Sequence, residues 1–128
     1  MNYVHIVAVL AISQFIYLAI MVGRARGKYS IDAPATTGHE MFDRAFRIQM
    51  NTLEQLVCFL PALLLADVYW PGTVIAAIGA VYIVGRVLYA SSYTKDPATR
   101  ALGFALSIMP TFTLLGAAGL GAVLAGVA

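Results

Sequence analysis

The stretch MNYVHIVAVLAISQFIYLAIMVG, residues 1–23, holds no Asp, Glu, Lys or Arg. About 20 mostly apolar residues are enough to cross the hydrocarbon core of a bilayer as a helix. A secretory leader would need positive charge before the apolar run and a small-residue cleavage site after it. Here the cations Arg24, Arg26 and Lys28 follow the run. The segment therefore reads as a first spanning helix that is retained, over about residues 3–23.

The rest of the chain repeats the pattern. Residues 24–38 contain Gly27, Ser30, Asp32, Pro34 and Gly38 and read as a loop. A second helix is expected over about 39–68, charged in its first half and apolar in its second, with a kink at Pro61. Tyr69 and Trp70 are placed like an interfacial aromatic belt before a turn at Pro71-Gly72. A third helix is expected over about 72–93. Asp96-Pro97 makes a cap and first-turn pair for a fourth helix to about 125, kinked at Pro110. Ala117, Gly121 and Ala125 form a small-residue stripe that would admit a neighbouring helix.

Composition agrees with this reading. Of the 128 residues, 61% are hydrophobic and only 11% charged, against about 25% charged in soluble domains. The fold class expected is all-α, a membrane-spanning four-helix bundle forming one domain, 1–128. A net charge of +2 gives no clustered basic surface for nucleic acid. The single cysteine, Cys58, excludes an internal disulfide and a Cys-based metal site, and reads as a small buried hydrophobe. His5 and His39 have no ligand-spaced partners and read as non-ligands.

All eight Lys and Arg residues belong to the first or third connection or to the helix ends beside them. The positive-inside rule places those connections in the cytoplasm and both termini outside. A short chain without targeting features suggests a bacterial inner membrane.

Polar residues also cluster. Arg47, Asn51 and Glu54 recur at i, i+4, i+7 on one face of the second helix, and Arg86, Tyr89 and Tyr93 at i, i+3, i+7 on the third. Arg100 opens the fourth. Arg47 and Glu54 lie about 10 Å apart along the axis, so Glu54 is expected to face protein or a wet cavity instead of lipid. Two readings stand. These groups could only pair with one another, Arg47 with Glu54 through Asn51 and Arg86 with an acid on a neighbouring helix. Alternatively, the surplus of Arg44, Arg47, Arg86 and Arg100 over nearby acids marks a pocket for an anionic ligand.

The stretch from Phe42 to Glu54, FDRAFRIQMNTLE, resembles the signature of the MAPEG family, membrane-associated proteins in eicosanoid and glutathione metabolism. Gly85-Arg86-Val87-Leu88-Tyr89, with Tyr93 and Arg100, resembles a second family element, and Pro34–Gly38 a family loop. The resemblance covers essentially the whole chain. It implies a four-helix protomer of a homotrimer, with glutathione as co-substrate bound between protomers near the cytoplasmic face. It implies that Arg47, Asn51 and Glu54 hold glutathione's charged ends, that Arg86, Tyr89 and Tyr93 line the pocket, and that Arg26 and Gln49 reach it from the adjacent protomer. Arg100 would be the catalytic arginine beside the thiolate.

Gln55 departs from the leukotriene-forming members, which carry tyrosine there; that removes one ligand contact. The implied activity is glutathione-dependent transfer or peroxide reduction on lipophilic electrophiles taken from the lipid, with no metal required. The alternatives are a non-catalytic, lipid-binding or scaffold member of the family, and a small proton-coupled exporter with Glu54 as its proton site.

Overall fold

The computed structural model describes residues 1–127. Four long helices, α1 (Tyr3–Tyr29), α2 (Glu40–Tyr69), α3 (Gly72–Lys95) and α4 (Ala101–Val127), account for most of the chain. All four are long and apolar enough to cross a membrane. The protein is an all-α, multi-pass integral membrane protein. In ring order the helices run α1–α2–α4–α3, with α2 and α3 also touching across the centre.

α1 continues past Gly23 through Arg24, Arg26 and Lys28, residues expected in a loop, and ends only where Ser30 turns left-handed (φ 55°) and donates its N–H to the Arg26 carbonyl. Arg and Lys are good helix formers. In the last turn they also oppose the negative end of the helix dipole and keep their charges at headgroup level. The cations thus extend the helix into the interface instead of stopping it.

α2 is capped by His39, whose Nδ1 accepts from the Met41 N–H at 3.1 Å, while its ring stacks on Tyr29 at 3.8 Å between centroids. α2 and α4 continue as helices beyond Pro61 and Pro110. Asp96 caps a short 3-10 turn, Pro97–Thr99, and α4 proper begins at Ala101. Trp70 belongs less to an interfacial belt than expected. Its indole N–H is half-buried and donates to the Ala117 carbonyl at 2.7 Å, tying the α2–α3 turn to α4.

The core lies toward the end opposite the cations. Phe59 and Tyr82 stack there at 3.8 Å, among Val4, Ala11, Leu63, Ala66 and Leu114. Cys58 is exposed, contrary to its expected burial; in a lipid-facing helix an apolar residue serves equally well on either face.

Three glycines set the closest approaches. A Cβ at Gly103 would stand 2.3 Å from the Tyr89 backbone nitrogen, and one at Gly85 would stand 2.5 Å from the Leu106 carbonyl carbon. These positions bring α3 and α4 into backbone contact, a common device where apolar burial gives no drive between helices. Within the small-residue stripe of α4, a Cβ at Gly121 would stand 2.5 Å from the Tyr69 Cβ.

Candidate functional site

Every Lys and Arg side chain sits toward one end of the bundle, because α1 and α3 finish there and α2 and α4 begin there. At that end α2, α3 and the start of α4 enclose a cavity of about 590 Å³ lined by Arg47, Asn51, Tyr89, Tyr93, Ala98, Arg100, Ala101 and Phe104. The antiparallel run of α2 against α3 sets the Arg47–Asn51 stripe opposite the Tyr89–Tyr93 stripe. The short Pro97–Thr99 turn then folds Arg100 back to the mouth. No carboxylate lines the cavity.

Arg86 lies directly behind this wall. It is only 1% exposed, the largest fully buried side chain among the described residues. Its Nη2 donates to Asn51 Oδ1 at 2.8 Å and to Thr52 Oγ1 at 2.9 Å. Its guanidinium carbon stands 4.2 Å from the centre of the Tyr89 ring. Nε and Nη1 have no hydrogen-bond partner among the described residues. The expectation of an acid on a neighbouring helix fails here: neutral oxygens and an aromatic face hold the cation.

This arrangement orients Asn51. Guanidinium groups only donate, so the oxygen of the Asn51 amide must face Arg86. The amide NH₂ is left as the donor that Asn51 can offer to the cavity. Thr52 is committed as well, since its hydroxyl accepts from Arg86 and donates to the Ile48 carbonyl at 2.8 Å. Thr52 carried no signal in the sequence; only its place one residue after Asn51, on the side facing α3, reveals it.

The cation surplus is narrower than the residue count suggested. Arg47 Nη1 donates directly to Glu54 Oε1 at 3.0 Å, without Asn51 as intermediary. Both side chains of that pair are about half exposed. Arg44 pairs with Glu40 and also caps α3, donating to the Thr94 and Lys95 carbonyls. Of the four arginines Arg44, Arg47, Arg86 and Arg100, the two with no carboxylate partner among the described residues are Arg86, buried, and Arg100, exposed, whose Nη1 donates to the Pro97 carbonyl at 2.8 Å. Tyr89 and Tyr93 stack at 5.5 Å and form the aromatic wall between them.

Arg26 and Gln49 stand outside this cavity. Arg26 Nη1 donates to the Ala35 carbonyl at 2.7 Å, and its guanidinium lies over the Phe42 ring at 4.9 Å. Gln55 is buried beside the network rather than in the cavity.

A concave, cation-lined site at the interfacial end of four membrane helices suits an anion that meets an apolar partner from lipid. The model of the MAPEG family matches residues 4–120. The chain belongs to the MAPEG family. Within it, human microsomal glutathione S-transferase 2 is 40% identical over 116 residues, covering 89% of this chain and 79% of the relative. Guinea pig (Cavia porcellus) leukotriene C4 synthase is 33% identical over 105 residues, covering 82% and 70%. An uncharacterized protein of Synechocystis sp. is 46% identical over 110 residues, covering 86% and 80%. This MAPEG chain thus stands in a family of membrane proteins whose named relatives include a glutathione transferase.

Proposed function

We propose that this MAPEG protein is a glutathione transferase that conjugates, or as a peroxidase reduces, lipophilic electrophiles, working as a homotrimer with its basic end in the cytoplasm. The observation that carries the reading is the cavity holding Arg47, Asn51, Tyr89, Tyr93 and Arg100, with no carboxylate in its lining. The support for an oligomer is the Arg47–Glu54 pair, exposed on a spanning helix. An ion pair in contact with acyl chains is costly, and a neighbouring protomer would cover it.

The residues present suit the tripeptide. Glutathione offers two carboxylates and one ammonium. Arg47 and the Asn51 amide supply donors for a carboxylate, and Glu54 supplies an anion for the ammonium. Arg26 and Gln49, outside the protomer's own cavity, would complete the site from the adjacent copy. Arg86 does not reach the lining; its part is to fix Asn51 and Tyr89 and to lend positive potential.

A free thiol ionises at about pH 8.5, and a nearby cation shifts the balance toward thiolate. Arg100, in the lining of the cavity, would take that role. The thiolate sulfur would attack an electrophilic carbon delivered from lipid, forming a thioether as the leaving group departs. Holding both reactants at one mouth supplies the rate through proximity.

Purified protein in detergent is expected to conjugate glutathione to a generic aryl halide, and to bind glutathione in titration calorimetry. Silence in both measurements ends this reading. Co-purified lipid together with silence in the thiol assays would instead favour a non-catalytic lipid-binding role, the second reading, which Gln55 keeps open.

A further inference from the structure

A second cavity opens at the same end of the bundle, on another side of it. It has a volume of about 510 Å³, lies between α1, α2 and α3, and shares no lining residue with the first. Its floor includes Leu18, Met21 and Ile48, and its lining includes the cations Arg24, Lys28 and Lys95. No Asp or Glu lines it. The two ion pairs found among the described residues, Arg44–Glu40 and Arg47–Glu54, leave these three cations out.

Lys95, in the last turn of α3, has no ion-pair partner among the described residues. Arg44 already donates to the Thr94 and Lys95 carbonyls, the groups a terminal lysine would otherwise cap. The neighbouring carboxylate, Asp96, accepts from the Ala98 N–H at 3.1 Å.

The dimensions match one leaflet. From Leu18 to Lys28 the wall rises about 15 Å along α1, half of the roughly 30 Å hydrocarbon core. Apolar residues thus lie at acyl-chain depth and cations at headgroup depth. We propose that this groove is a docking site for an anionic phospholipid of the leaflet at the basic end, the acyl chain lying on Leu18, Met21 and Ile48 and the phosphate meeting Arg24, Lys28 and Lys95. Basic pockets between spanning helices on the cytoplasmic side commonly recognise such headgroups. A zwitterionic lipid would bring its own ammonium to a groove lined by three cations and is disfavoured.

Native mass spectrometry of the detergent-purified protein, offered equal amounts of phosphatidylglycerol and phosphatidylcholine, tests this. Phosphatidylglycerol should be retained preferentially. Each cation near an anionic headgroup is worth about fivefold in affinity, so Lys28→Gln with Lys95→Gln should lower its retention by about 30-fold. Lys28→Arg with Lys95→Arg should keep it. Glutathione binding, which uses the other cavity, should be unchanged in both variants and reports that they are folded. Equal retention of the two lipids, or an unaffected glutamine variant, overturns the proposal. So does preferential displacement by oleate, which would make the groove a site for free carboxylates, or binding of no lipid at all because another copy of the chain covers it.

Discussion

Replacing Arg100 with alanine is expected to lower the turnover of glutathione conjugation by about 100-fold, the scale of removing one preorganised charge from a reacting centre. The Michaelis constant for glutathione should change by less than about threefold, because Arg47, Asn51 and Glu54 would still hold the tripeptide's ends. The reason lies in the charge inventory of the cavity. Arg47 is paired with Glu54, and Arg86 is spent on Asn51 and Thr52 behind the wall. Among the described residues that line the cavity, Arg100 is the cation with no carboxylate partner; its side chain donates to the Pro97 carbonyl.

The pH profile carries the sign. With Arg100 present, thiolate forms below the free thiol's value of about 8.5, and the rate should level off at lower pH. In Arg100→Ala the rate should keep rising through that value. Arg100→Lys, which retains a charge, should recover part of the turnover. Arg100 is exposed, so its loss should alter stability by no more than about 0.5 kcal/mol. Equal losses of binding and rate, or no loss of either, would remove Arg100 from the thiolate's side.

Gly103→Ala is expected to be among the most damaging single changes in the chain, although it adds one carbon. The new Cβ would stand 2.3 Å from the Tyr89 nitrogen and 2.5 Å from its Cα. Backbone cannot swing aside as a side-chain tip can, so α3 and α4 must separate. Overpacking of this kind costs about 1–3 kcal/mol and occasionally more, and the upper part of that range is expected here. The melting temperature in detergent should fall. Glutathione binding should weaken with it, because Tyr89 forms both the contact and the cavity wall. Gly119→Ala is the control: a Cβ there meets nothing within 4 Å among the described residues, and stability should stay within about 0.5 kcal/mol. A Gly103→Ala protein as stable as the parent would show that the two helices are not locked at this point.

The helices were legible because lipid imposes a strong rule. Twenty residues without charge can hardly be anything else in a chain this apolar, and the cations at one end mark their alternation. What lipid hides is the inward face. In water, apolar spacing points to the core; here both faces are apolar, so Cys58 proved exposed and Gln55 buried. Helix ends were blurred for a related reason: Arg24, Arg26 and Lys28 look like a loop but are comfortable in the last turns of α1.

Site residues on one helix were legible through spacing, as with Arg47 and Asn51 or Tyr89 and Tyr93. Relations between helices were not. That Arg86 rests on Asn51 and Thr52, with no acid, depends on how α2 meets α3. That meeting is set partly by Gly85 and Gly103, whose contacts lie on opposite helices and leave no periodic trace in the chain.

In a structure of the protein saturated with glutathione, tripeptide density is expected between protomers in the cavity of Arg47, Asn51, Tyr89 and Tyr93, with the sulfur beside Arg100. A clear map with that cavity free of tripeptide, or with glutathione bound elsewhere, would contradict the proposed function.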